Sequence, residues 1–419
     1  MKKIYLSLLI LLGLGFQLPA QDVAGGCDGI RYITETFTEV EVSTVLFGEN
    51  INSEGQLQAL YMDVYQPVGD TVSQRPVILW GFGGGFVGGS RADMETTCQE
   101  FARRGFVTAA FDYRLYSLLQ GIPDSLGTMD MIVKAMHDMK AAIRHLRQDA
   151  ATDNLYRIDP DRILAAGVSA GGITSLHAAY LDEDDEIPTD FMDVLEDNGG
   201  IEGNSGDAEN LLYSSAIQFV INLSGALYKK EWIDADEAPL LSIHGTADEI
   251  VPYAHGFLAV NFGFVFYFNS VDGSGVLHPV LEAQGMPNLH IAVPGGMHED
   301  TYTDPAFESY RTMFTVDGGL LIYDFLCPDI PIVVINSLQE QALEELSLYP
   351  NPAGEVLNIG ISASLGEYDA ILYDLLGRQV ETWTNLSGNW QLKHQNWPTG
   401  YYVLKLQGAN WQTSQPVSW

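Results

Sequence analysis

The chain has 419 residues, which is room for a large core and for more than one domain. Acidic residues outnumber basic ones 55 to 20, giving a formal net charge of −35. Such a surface repels nucleic acid and anionic membranes, and both are excluded as expected partners.

The chain opens Met1-Lys2-Lys3, runs apolar from Ile4 to Phe16, and reaches Leu18-Pro19-Ala20-Gln21. A basic start, a short apolar run and a small residue at the break predict a signal peptide over 1–20. The run is too short for an ordinary membrane span, and no later stretch is longer and as apolar, so no stable membrane insertion is expected. There are three cysteines, Cys27, Cys98 and Cys327. An exported chain permits a disulfide, and the odd count leaves one thiol over. Cys98 falls in a helical pattern and reads as a small buried hydrophobe. Cys27 with Cys327 is one possible pairing, and it would tie the start of the first domain to its end.

Residues 30–66 alternate polar and apolar, as in Thr38-Glu39-Val40-Glu41-Val42, which predicts antiparallel strands at a sheet edge. Pro76 to Trp80 is continuously apolar and suits a strand buried on both faces. It runs into the glycine loop Gly81-Phe82-Gly83-Gly84-Gly85-Phe86. Asp93 to Arg104 reads as helix, Phe106 to Phe111 as a buried strand, and Asp130 to Arg147 as helix. Strand 162–166 follows. Leu181 to Tyr213 breaks the pattern: it is rich in Asp, Glu and Gly and holds no Lys or Arg. It is expected to be an insertion over the carboxyl edge of the sheet, either a solvated acidic loop or a lid near the mouth of the site. Buried strands resume at 217–223, 239–243 and 289–293, with helical stretches expected between them and a helix over 305–326. Strands alternating with helices predict an α/β fold with a doubly wound, mostly parallel sheet, whose ligands sit at the carboxyl ends of the strands.

Pro328 to Pro331 marks a boundary. The catalytic domain is expected over 21–330, a linker over 331–344, and a small all-β sandwich over 345–419, where short alternating strands dominate.

Within the first domain, Gly167-Val168-Ser169-Ala170-Gly171-Gly172 lies between an apolar strand and a helix-compatible run. A G-x-S-x-G there predicts a nucleophile elbow, with the Ser169 hydroxyl exposed at a sharp turn. A serine hydroxyl needs a base within hydrogen-bond reach, and that base needs an orienting carboxylate. Asp248 follows strand 239–243 and His298 follows strand 289–293, so both fall on loops at the carboxyl edge that carries Ser169. The other histidines are less well placed. His244 lies on the strand of Asp248 itself, His137, His145 and His177 lie on helices, and His290 lies inside a strand. The oxyanion of a tetrahedral intermediate needs two unobstructed backbone donors. Ala170 is expected to supply one, and Gly83 with Gly84 the other. No Lys-Ser/Thr follows the glycine run, which argues against a phosphate loop. No metal-site spacing occurs, and neither a metal nor a cofactor is expected.

With Phe82–Phe86, Asp112-Tyr113-Arg114-Leu115, Asp159-Pro160-Asp161-Arg162, the elbow, His244 to Pro252 and the His298 loop, residues from about 30 to 327 resemble a secreted carboxylesterase of the α/β-hydrolase superfamily. The resemblance implies a catalytic triad at Ser169, Asp248 and His298. It also brings one departure: the family's glycine loop usually opens with His, where this chain has Phe82. Leu348-Tyr349-Pro350-Asn351-Pro352, Tyr373 to Arg378 and Pro398-Thr399-Gly400-Tyr401 resemble the sorting domain of the type IX secretion system. That resemblance implies a secretion partner and a secreted or cell-surface location.

The expected function is hydrolysis of a small-molecule or polymer-linked ester. A serine peptidase of prolyl oligopeptidase type and an inactive glycan-binding surface protein are the alternatives. In the second, Trp383, Trp390, Trp397 and Trp411 could stack on sugars, although core packing is the expected role of these rings.

Overall fold

The computed structural model describes residues 26–330 except 208 and 262–264, and then 347–349, 356–361, 366–374, 379–394, 397–398, 401–408 and 412–418. The expected signal peptide and the expected linker lie outside the described residues.

Eight strands form the main sheet. β1 (Val40–Ile51) and β2 (Leu57–Pro67) pair antiparallel, and β2 pairs antiparallel with β4 (Val107–Phe111). The spatial order is β1-β2-β4-β3-β5-β6-β8-β11, and every pairing from β4 onward is parallel. The remaining members are β3 (Arg75–Gly81), β5 (Ile158–Val168), β6 (Phe219–Leu223), β8 (Leu240–Gly245) and β11 (Asn288–Val293). Burial explains the order. β3 and β4 are buried at every residue, as strands covered on both faces must be, whereas β1 is largely exposed and stands at the edge.

Among the described residues, seven α-helices accompany the sheet: α1 (Glu95–Arg103), α2 (Ser125–Ala151), α3 (Ala170–Tyr180), α4 (Thr189–Asp197), α5 (Ser274–Gln284), α6 (Asp300–Thr303) and α7 (Glu308–Leu326). α3 packs on β3, β5 and β6, α2 packs on α3, and α5 and α7 pack on β8 and β11. Cys98 is fully buried on α1, and Cys27 forms a disulfide with Cys327 at the end of α7.

Two expectations change. Helical stretches were expected between the strands now labelled β8 and β11, yet a second small sheet precedes α5 there. β9 (His255–Asn261) and β10 (Val265–Gly273) form an antiparallel hairpin, and β10 also pairs with β7 (Ala226–Leu227). The run from 257 to 268 is apolar almost throughout, so it carries no period to separate helix from strand; its aromatic and β-branched content favours strand.

The acidic segment 181–213 is the second change. It docks on α2, and Phe191 and Glu186 also meet Tyr228 and Trp232 beyond the end of β6. Glu202 pairs with Lys140 and Arg144 of α2, Ser205 bonds Asp138, Asn210 bonds Arg144, and Asn198 bonds Asp130. The basic partners absent from the segment are supplied by α2, which buries Lys140 and Arg144 almost completely.

The C-terminal part forms two antiparallel sheets around a core of its own. One is β12 (Ser347–Tyr349), β13 (Val356–Gly360) and β16 (Trp390–Lys393); the other contains β14 (Glu367–Asp374), β15 (Gln379–Ser387), β17 (Tyr401–Gly408) and β18 (Gln412–Ser418). Leu357, Ile359, Leu372 and Leu404 are among its buried centre. Trp383, Trp390 and Trp397 pack half-buried against it, and Trp411 lies outside the described residues.

Candidate active site

Ser169 sits between the end of β5 and the first residue of α3, at φ 54° and ψ −117°. A non-glycine residue at positive φ is strained by about 1–3 kcal/mol and persists only where its surroundings hold it. Here the Ser169 N–H donates to the Leu223 carbonyl at 2.8 Å, which fixes the turn to β6. The flanking glycines allow close approach. A Cβ on Gly167 would stand 2.1 Å from the Gly171 carbonyl carbon, and a Cβ on Gly171 would stand 2.1 Å from the Gly81 oxygen.

Three expected residues meet at this edge. His298 Nε2 lies 2.9 Å from Ser169 Oγ, and His298 Nδ1 lies 2.7 Å from Asp248 Oδ2. The Asp248 side chain is fully buried, and its Oδ1 accepts the Ile250 and Val251 N–H groups, each at 2.9 Å. Burial pushes the Asp248 carboxyl up, but hydrogen bonds from His244 and His298 outweigh it and hold the pKa at about 2. The Asp248 and His298 loops are joined to each other: Ala247 N–H donates to Gly296 O at 3.0 Å, and Gly295 N–H donates to Thr246 Oγ1 at 2.9 Å.

His244, set aside in the sequence reading as too near Asp248 on its own strand, is part of this cluster. Its Nε2 lies 3.3 Å from Asp248 Oδ2 and 3.1 Å from the Val251 carbonyl. Its Nδ1 meets Ser274 Oγ at 3.0 Å. The spacing of four residues could have signalled the contact, because the chain turns back sharply after β8.

The glycine loop lies beside the elbow. A Cβ on Gly83 would be 3.4 Å from Ser169 Cβ. Gly84 takes φ +119°, and a Cβ there would strike the Gly88 carbonyl oxygen at 2.3 Å. Ala170 opens α3, so its N–H has no acceptor within the helix. Phe82, in the position where the family carries His, is buried and stacked on Tyr113 with ring centroids 4.1 Å apart. Tyr113 Oη donates to the Phe82 carbonyl at 2.9 Å. In this chain two aromatic rings and one hydroxyl brace the loop.

A cavity of about 40 Å³ opens beside Ser169 and Ala170. Its wall includes Gly85 of the glycine loop, not Gly83 or Gly84, together with Met131, Ile173, Ile250, Leu258 and Phe268. None of the described residues of 181–213 is on that wall. The hairpin β9–β10 supplies part of the wall, and its apolar run was the sequence signal. Among the described residues, no group of three His, Cys, Asp or Glu side chains could hold a metal ion.

Residues 62–227 match the BD-FAE family, and residues 347–417 match the secretion system C-terminal sorting domain. The BD-FAE match covers under half of the chain. The match spans Gly83, Ser169 and Ala170 and stops before Asp248 and His298, so the placement of those two rests on geometry alone. The chain is also 24% identical over 216 residues to the uncharacterized protein YfhR of Escherichia coli K12, across 50% of this chain and 58% of that protein. It is 32% identical over 127 residues to acetylcholinesterase of Gallus gallus, across 29% of this chain and 15% of that protein. Among solved structures, Thermogutta terrifontis esterase 2 phosphorylated by paraoxon superposes with a TM-score of 0.47 at 21% identity, covering 67% of this chain and 93% of that one.

Proposed function

We propose that the protein is a serine carboxylesterase that works through an acyl-enzyme at Ser169. The observation that carries this reading is the unbroken hydrogen-bonded line Asp248–His298–Ser169 at a strained strand-to-helix turn. Ser169 Oγ attacks the ester carbonyl carbon while His298 Nε2 takes its proton. Asp248 holds the ring through Nδ1 and stabilises the imidazolium. The tetrahedral oxyanion is held by the Ala170 N–H with the Gly83 and Gly84 backbone. The carbon–oxygen bond to the alcohol breaks as His298 returns the proton to the leaving oxygen. Water then repeats the sequence on the acyl-enzyme, releasing the acid and free Ser169.

In this reading the catalytic unit is 21–330 and the sorting unit is 345–419. The sorting domain supports export to the cell surface or medium by type IX secretion machinery. The substrate is then an extracellular ester, such as an acyl group carried on a polysaccharide. In assays of short p-nitrophenyl esters, the Ser169→Ala variant should lose at least about a thousandfold in kcat. Equal turnover by the variant and the wild type would reject the assignment.

A further inference from the structure

The cavity beside Ser169 has a direction. In the proposed reaction the leaving alcohol receives its proton from His298 Nε2, so the alcohol must sit against that nitrogen. The cavity wall includes Ser169 and Ala170 but not His298. An ester bound with its alcohol at His298 therefore points its acyl group into the cavity. The Ala170 wall fits this placement, because the carbonyl oxygen sits at the cavity mouth when that N–H binds it.

The same wall limits what can enter. At about 40 Å³, and with roughly 10–15 Å³ needed per water-sized group, it holds about three such groups. No charged side chain lines it, and its polar side chains are Ser169 and Thr128. Its apolar wall includes Met131 from α2, Ile173 from α3, and Leu258 and Phe268 from the β9–β10 hairpin. Met131, Leu258 and Phe268 are all buried, at 5%, 6% and 8% exposure, so none is free to swing aside. The hairpin is fixed from behind: Ala259 N–H donates to Ile250 O at 2.8 Å, and β10 pairs with β7.

We infer that this cavity is the acyl pocket, that it takes an uncharged aliphatic acyl group of about two to four carbons, and that Leu258 and Phe268 of the hairpin set the limit. The inference rests on the ester-hydrolase reading and adds the substrate class.

The test is a p-nitrophenyl ester series from acetate to dodecanoate, run on wild type, Phe268→Ala and Leu258→Trp. Active enzyme is counted by fluorophosphonate labelling of Ser169, so that a poorly folded variant is corrected for. Wild type should peak between acetate and butyrate and fall at least tenfold by octanoate, since burial of each accommodated methylene is worth about fourfold. Phe268→Ala should raise the octanoate-to-acetate ratio of kcat/KM by about tenfold or more. Leu258→Trp, which fills the pocket, should lower the butyrate-to-acetate ratio by about tenfold. A wild-type profile that stays flat or rises to dodecanoate overturns the inference, as do unchanged ratios in both variants. Absence of ester turnover at every length, with wild type equal to Ser169→Ala, is a different result and rejects the enzymatic reading itself.

Discussion

Asp248 has more partners than a carboxylate whose task is only to orient His298 would need. Two backbone N–H groups hold Oδ1, while His298 and His244 approach Oδ2 from two sides. His244 Nδ1 meets Ser274 Oγ, while its Nε2 faces both Asp248 Oδ2 and the Val251 carbonyl. His244 thus acts as a positioning residue behind the acid. The sign of its effect follows from the Asp248 carboxyl, which lies at about 2, below its ordinary value near 3.8. A depressed carboxylate contributes stability at pH values above 3.8 and loses it as pH falls toward 2. Removal of His244 removes the first of the two stabilising hydrogen bonds, so the Asp248 pKa should rise and the stability this carboxylate contributes should shrink, fading at a higher pH on acidification. His244→Leu is expected to lower kcat by about tenfold and to move acid unfolding to a higher pH, and His244→Gln should restore part of both. An acid-unfolding midpoint that does not move in His244→Leu would assign His244 to packing alone.

At the scale of elements, α2 carries unusual cargo for a core helix: Asp138, Lys140, Arg144 and Arg147 are all buried. Their partners come largely from elsewhere in the chain. Arg114 and Ser205 meet Asp138, and Glu202 meets both Lys140 and Arg144. Glu202→Gln would leave two buried cations facing one neutral amide. Because the Glu202 side chain is itself 56% exposed, the cost should be at the lower end for a broken pair, about 1–3 kcal/mol. That loss should be visible in the urea midpoint, while kcat/KM on acetate changes less than about twofold, since none of the described residues of 181–213 lines the cavity. A large kinetic effect with an unchanged midpoint would restore the lid reading of the segment. The same elements show what the sequence could and could not say. The parallel strands were readable because β3, β4 and β6 are apolar on both faces, and the elbow because its glycines are forced by backbone contact. The docking of 181–213 was not readable: acidic residues look alike whether they face water or buried cations on a distant helix. The β9–β10 hairpin was hidden by an apolar run with no period, and His244 by the assumption that strand neighbours cannot reach each other.

For the whole molecule, the N-terminal end of the first core is fastened twice. Cys27 and Cys327 are linked across 300 residues, and both are buried. Independently, Tyr32 N–H donates to Arg104 O at 2.8 Å, Thr36 N–H donates to Arg103 O at 2.8 Å, and Arg31 pairs with Asp70. The N-terminal segment is therefore sewn to the α1–β4 connection, while the disulfide fastens it to the end of α7. In the chain-entropy account, closing so long a loop restricts the unfolded chain by about 5 kcal/mol. Part of that restriction is recovered in the native state by the other contacts of residues 31–37 only after folding, so the two fastenings do not duplicate each other. The double variant Cys27→Ser/Cys327→Ser should consequently melt roughly 5–10 °C lower. Its kcat/KM on short esters should change less than about twofold, because neither cysteine touches Ser169, Asp248 or His298. Since both sulfurs are buried, mild reductant on the native protein should leave the melt unchanged until unfolding exposes the bond. A melt equal to wild type in the double variant would mean that this bond does not restrict the unfolded chain, and the entropic account would fail for this loop.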